Sequence, residues 1–143
     1  MAKYAVVYWS GTGNTEMMAK AVAEGIQGAN QEADLIEAAD FSKDQTADYD
    51  GFAFGCPSMG SEQLEETEFE PMFDDVKGSL GGKPVVLFGS YGWGDGEWMR
   101  TWEGDCEDAG ISCAAEPVIC NETPDDEGLE ACKALGTALT EAK

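Results

Sequence analysis

The stretch WSGTGNTE, residues 9–16, joins an apolar run to a segment of helical period. Residues 4–9 read as a continuous buried strand. After the stretch, Met18, Ala19, Val22 and Ile26 recur at helical spacing over residues 15–27, and Gly28 is placed to cap that helix. A strand that enters a helix through glycines and hydroxyls presents backbone N–H groups at the helix N-terminus, where they bind anions. Gly11 and Gly13 let the backbone close around such a group, and Ser10, Thr12, Asn14 and Thr15 add neutral side-chain donors. The stretch contains no Lys, Arg or His. It is not a P-loop, which needs Gly-Lys-Ser/Thr after its glycines. It is not a dinucleotide loop either, because Glu16 stands where the third glycine belongs. A mononucleotide phosphate monoester fits it best, and a plain strand–helix turn is the alternative.

The same alternation continues along the chain. Residues 33–37 read as a second strand, 51–56 (GFAFGC) as a third, 84–90 (PVVLFGS) as a fourth and 111–120 as a fifth. Between them, Phe69, Met72, Phe73 and Val76 mark one helical face that ends near Gly78. Trp98, Met99, Trp102, Cys106 and Ala109 mark another, closed by Gly110. Thr123-Pro-Asp-Asp reads as a helix start with a hydroxyl cap and Pro at the first position, continued by Leu129, Cys132, Leu135 and Leu139. Strand–helix alternation of this kind gives an α/β protein, a parallel sheet covered on both faces, with ligands outside the carboxyl ends of the strands.

The chain has 143 residues, which suits one domain, 1–143. Its 29 acidic and 8 basic residues give a net charge of −21. That balance argues against nucleic acid and against anionic membranes, and for partners with basic patches. A solvated surface is the plainer explanation of the charge. No run is long and apolar enough for a membrane span, and the start does not read as a signal peptide. Five cysteines without a C-x-x-C pair, and no histidine, point away from disulfide frameworks and zinc sites. The cysteines are expected to be reduced and buried, and the protein cytoplasmic and monomeric.

Two further loops fall at strand ends. Residues 90–95 belong to SYGWGDGEW, where glycines flank a Trp93 that no helical or strand period claims, so its ring is free to lie on a planar ligand. Residues 57–62, PSMGSE, offer Met59, whose thioether packs on aromatic faces, and Gly60, whose peptide turns over without steric penalty. Core packing of Trp93 and an ordinary turn at Met59 are the competing readings.

Together, YWSGTGNTE, GCPSMGSE with the acidic segment that follows, and LFGSYGWGDGEWM resemble a short-chain flavodoxin, in order and spacing over nearly the whole chain. The resemblance implies a doubly wound five-stranded parallel sheet of order 2-1-3-4-5, for which flavodoxin is the standard example. It also implies noncovalently bound FMN and low-potential one-electron transfer between redox enzymes, with no substrate of its own. By it, Ser10, Gly11, Thr12, Gly13, Asn14 and Thr15 would wrap the phosphate. Met59 and Trp93 would flank the isoalloxazine, with Ser58, Ser61, Tyr91 and Asp95 beside them. Gly60 would offer its carbonyl to flavin N5–H after reduction, and Glu62 would accept from N3–H. Ser90, Tyr91, Gly92 and Gly94 would reach the pyrimidine edge and ribityl chain, with Asn121 a further candidate there. Pro57 stands where some relatives carry a hydroxyl, and no phosphate role is carried over to it.

Acidic residues crowd the proposed crevice: Glu62, Glu65, Glu66, Glu68 and Glu70 after the second loop, Asp95 and Glu97 after the third. They read both as a solvated face and as a docking rim for basic patches on reductases and dehydrogenases. The competing enzyme reading is an FMN-dependent NAD(P)H:quinone or flavin reductase on the same fold, but the chain shows no second nucleotide motif. A receiver domain lacks its Asp at the end of strand 3, and a low-molecular-weight phosphatase lacks its Arg after Cys56.

Overall fold

The computed structural model describes residues 2–11, 13–59, 64–92 and 96–142. Its elements are β1 (Lys3–Tyr8), α1 (Asn14–Gly28), β2 (Glu32–Glu37), β3 (Gly51–Gly55), α2 (Phe69–Val76), β4 (Val85–Tyr91), α3 (Glu97–Asp108), β5 (Val118–Asn121) and α4 (Asp126–Glu141). The five strands form one sheet in the order β2-β1-β3-β4-β5, and every pairing is parallel. The expected α/β class and strand order are therefore both found. The crossover from β2 to β3 contains short 3-10 turns, Ala38–Asp40 and Lys43–Asp48, rather than an α-helix.

Central strands buried on both faces read as unbroken apolar runs, and β3 has no exposed residue along its length. Alternate residues enter opposite cores. Ala5, Val7, Phe52 and Phe54 join α2 and α3 on one face; Tyr4, Val6, Tyr8 and Ala53 join α1 and α4 on the other. In the first core the rings of Phe69 and Phe73 both meet Trp102 edge-on, with centroids 5.4 and 5.7 Å away. Trp98 and Trp102 are core residues, as their helical spacing implied.

Three boundaries differ from the sequence reading. The fifth strand is not continuous over 111–120: β5 is Val118–Asn121, and an isolated bridge pairs Cys113 with Val85 upstream of it. Pro117 has no N–H to donate, which interrupts an edge strand at that point. The cap of α4 is Asp125, whose carboxylate accepts from Gly128 N at 2.7 Å; Thr123 lies outside the helix. Gly28 remains within α1, and the left-handed residue after that helix is Asn30, at φ 64°. Asn tolerates that region through local side-chain hydrogen bonding, so the helix runs slightly further before turning.

The two helices of the second core approach backbone to backbone. A Cβ on Gly25 would lie 2.0 Å from the Lys133 carbonyl oxygen, and one on Gly136 2.1 Å from the Val22 carbonyl oxygen. Neither contact yields by a side-chain rotation, so an added methyl must push α1 from α4. Gly136→Ala is expected to lower stability by about 2 kcal/mol, read as a lower urea midpoint at unchanged slope. An unaltered midpoint would show that the helices separate without penalty.

Candidate functional site

The carboxyl ends of β1, β3, β4 and β5 surround a cavity of about 490 Å³, lined by Trp9, Gly11, Asn14, Pro57, Ser58, Met59, Ser90, Tyr91, Gly92, Glu122 and Thr123. Its size is within the range of small-molecule sites, roughly 300–1,000 Å³. The structure thus brings the three glycine-and-hydroxyl loops together at one crevice. Thr12, Gly60, Ser61, Glu62, Trp93, Gly94 and Asp95 lie outside the described residues.

The first loop is built around a left-handed turn. Gly13, at φ 94°, precedes α1, and a side chain there would be strained. Ser10 Oγ accepts from the N–H of Gly13 at 3.0 Å and of Glu16 at 3.3 Å. As acceptor of both, it keeps its own hydrogen to donate to a third group. Thr15 Oγ1 and Ser90 Oγ are 2.9 Å apart and both buried, which fastens the start of α1 to the end of β4. Ser90 O accepts from Ser58 N at 2.9 Å, so the second loop is tied to the third. The loops are therefore held in register by hydrogen bonds among the expected site residues themselves.

Ser58 adds the most informative feature. Its Oγ is buried with no hydrogen-bond partner, on a residue that lines the cavity. Buried hydroxyls are rarely left unpaired. Its neighbours in the lining are glycine, amide, hydroxyl and apolar groups and the exposed Glu122, with no Lys or Arg among the described lining residues. Trp9, Met59 and Tyr91, each half-buried, supply apolar wall. Neutral donors at a helix N-terminus beside apolar walls fit a phosphorylated, planar cofactor.

Some lining residues were not anticipated. Trp9 closes the cavity beside Gly11, and its Nε1 donates to Glu68 Oε1 at 2.9 Å. Its position, a Trp ending the strand run next to the glycine loop, was the available signal. Glu122 sits at φ 56° with its N–H donating to Tyr91 O at 2.7 Å. Nothing in the sequence marks a Glu for left-handed backbone. Asn121 gives its side-chain amide to Tyr91 O at 3.3 Å, so it braces the third loop and is not part of the lining.

Glu65 departs from its expected role. It is only 5% exposed, and its carboxylate accepts from the N–H groups of Thr67, Glu68 and Phe69 at 2.8, 2.8 and 2.9 Å and from the Thr67 hydroxyl. It caps the entry to α2 rather than lining a docking rim. Its own N–H donates to Cys56 Sγ at 3.4 Å, so the cap is seated on the end of β3. Glu66, Glu68, Glu70 and Glu97 are exposed, as a rim requires. Among the cysteines, Cys113 is exposed, against the expectation that all would be buried; the other four are buried and all five are free. Burial pushes the Cys56 thiol up, so it stays protonated.

These loops around one crevice of a doubly wound sheet define a mononucleotide-binding α/β protein. Comparison with known proteins gives the rest. The flavodoxin family model matches residues 6–136. The chain is 44% identical to the flavodoxin of Megasphaera elsdenii over 96% of this chain and 98% of that one. It is also 44% identical to the flavodoxin of Clostridium beijerinckii over 94% and 96%. The solution structure of two-electron reduced Megasphaera elsdenii flavodoxin superposes with a TM-score of 0.89, covering 97% of this chain and 99% of that one. The chain belongs to the flavodoxin family. It is an FMN-dependent, low-potential electron carrier rather than an enzyme, and the reductase alternative is not favoured. Among the described residues no helix is long and apolar enough to cross a membrane.

Burial pushes the Glu65 carboxyl up, but the hydrogen bonds from Thr67, Phe69 and Glu68 outweigh burial and hold it below its ordinary value of 4.5. A depressed folded value means that the stabilisation is complete above the unfolded carboxyl range and is lost as pH falls through the folded value. Glu65→Gln is expected to cost about 2 kcal/mol near neutrality, the worth of a charge-assisted bond. In urea unfolding across pH, its gap from the wild type should narrow below 4.5. A gap that persists unchanged into acid would contradict the ionised cap.

Proposed function

We propose that the chain is a single-domain, monomeric carrier whose residues 10–15 wrap the FMN phosphate with neutral donors. The observation that supports this is the unpartnered, buried Ser58 hydroxyl on a cavity whose described lining holds no cation. Bound FMN supplies one-electron transfer. Asn14 and the backbone at the start of α1 orient the phosphate, and Ser10 donates the hydrogen it retains. Met59 and Trp93 would cover the two faces of the ring system and exclude water. Gly60 would present its carbonyl, Glu62 would accept at the pyrimidine edge, and the backbone of residues 90–94 with Asp95 and Ser61 would complete the enclosure.

The missing countercharge is a tuning device. A Lys beside the phosphate would cancel its charge and attract an added electron. At an effective dielectric of about 20, unit charges roughly 10 Å apart interact by about 1.7 kcal/mol. For one electron that is on the order of 70 mV. Leaving the phosphate uncompensated therefore holds the potential down by a useful step. Exposed carboxylates act in the same direction but are screened beyond a Debye length of about 8 Å.

Glu66, Glu68, Glu70 and Glu97 beside the crevice suit transient contact with basic patches on reductases and dehydrogenases, where charge speeds encounter more than it adds affinity. The cytoplasm is the matching compartment for five free thiols. The decisive test is a fluorescence titration of the cofactor-free protein with FMN and with riboflavin. FMN should bind at least 100-fold more tightly, about 2.7 kcal/mol for the phosphate contacts. Equal affinity for the two would remove the phosphate from the account.

A further inference from the structure

The first loop is fastened at both ends. At the far end Thr15 Oγ1 and Ser90 Oγ are 2.9 Å apart. At the near end Trp9 N donates to Gly55 O at 3.0 Å, and the indole Nε1 donates to Glu68 Oε1 at 2.9 Å. The indole also lies against Gly11: a Cβ built on that glycine would stand 3.1 and 3.2 Å from ring carbons Cη2 and Cζ3. Gly11 is among the described residues that line the cofactor cavity, and Glu68 is not. Glu68 lines a neighbouring cavity of about 410 Å³ with Tyr8, Ser10, Glu37 and Asp40. Trp9 belongs to both linings, so its ring is the partition between the two cavities.

We propose that Glu68 is a positioning residue for the first loop. Its carboxylate fixes the Trp9 indole, the indole fixes Gly11, and the cradle of residues 10–15 is thereby held in the shape that favours a phosphate ester over the same ligand without its phosphate. This role, which rests on the reading that residues 10–15 take the FMN phosphate, is separate from the carboxylate's place on the docking rim. The hydrogen bond needs an acceptor oxygen; the rim needs a charge.

Both ends of the bridge are anchored. Glu68 stands at the head of α2, where its own N–H donates to Glu65 Oε1 at 2.8 Å and its carbonyl accepts from Met72 N at 3.3 Å. Trp9 directly follows β1 and is bonded to the end of β3. An indole whose N–H is held cannot swing away from Gly11 without breaking that bond. Glycines let the first loop close around an anion, but glycine also loses more conformational freedom on ordering than any other residue. A ring packed against Gly11 removes part of that freedom before the ligand arrives, and donors that are already ordered bind more tightly. The Glu68 side chain is exposed, which limits the effect to the scale of one hydrogen bond.

The test compares Glu68→Gln with Glu68→Ala, at an exposed position where neither change leaves a buried void. Both variants lack the charge, and only Gln retains an acceptor oxygen for the indole. The cofactor-free form of each is titrated with FMN and with riboflavin, followed by flavin fluorescence. The wild type should prefer FMN, and Glu68→Gln should keep that preference. Glu68→Ala should lose about fivefold of it through weaker FMN binding, with riboflavin affinity unchanged. In a Trp9→Phe background, which has no indole N–H to hold, the Gln and Ala variants should show equal preferences. Equal preferences for Glu68→Gln and Glu68→Ala with Trp9 in place, a fall for riboflavin as large as that for FMN, or a Gln–Ala difference that survives in Trp9→Phe would overturn the positioning role and leave the phosphate reading standing. Equal affinity of the wild type for FMN and riboflavin would end that reading, and the positioning role with it.

Discussion

On the proposed reading, a phosphate taken up by the first loop without a cation must be held by dipoles alone, and that requirement accounts for the hydrogen bonds seen there. The left-handed Gly13 turn aims the start of α1 at the cavity. Ser10 gathers two N–H groups from that turn and keeps a hydrogen to donate. Such a cradle works only if its donors are already in place, because each is weak compared with an ammonium. The rest of the structure supplies that rigidity.

It does so through a few cross-links. The Thr15–Ser90 contact sets the first loop against the third, and the Ser58–Ser90 backbone bond sets the second against the third. Trp98 Nε1 donates to Cys56 O at 3.1 Å, which locks α3 to the end of β3 just before the second loop. Glu65 then stops the chain beyond that loop by capping α2 while resting on Cys56. Backbone contact of α1 with α4 through Gly25 and Gly136 keeps the N-terminus of α1 from shifting. The first four ties end at loops proposed to carry the cofactor chemistry, and the last joins the two helices behind them.

Much of this was legible in the residues. The central strands announced themselves because a parallel sheet buries both faces, which leaves runs such as residues 51–56 and 84–90 without polar interruption. The three loops stood out because glycine and hydroxyl residues at strand ends have few other uses. What was illegible depends on tertiary approach. Glu65 lies in a run of acids that looks uniformly solvated, and only its seat on Cys56 and the N–H groups of residues 67–69 distinguishes it. The fifth strand was overextended because the apolar residues before Pro117 mimic a strand that this proline interrupts. Glu122 carries no compositional sign of its left-handed backbone, and Thr123 reads as a cap until Asp125 is seen to bond Gly128.

The central claim is that neutral donors leave the phosphate charge in place and so hold the cofactor's potential down. Its most direct test is a potentiometric titration of the FMN-loaded protein and of an Asn14→Lys variant, which adds a cation at the cavity lining. The account predicts that the final reducing step lies well below that of free FMN and rises by about 70 mV in the variant. A final step equal to that of free FMN, or one that the added lysine leaves where it was, would contradict it.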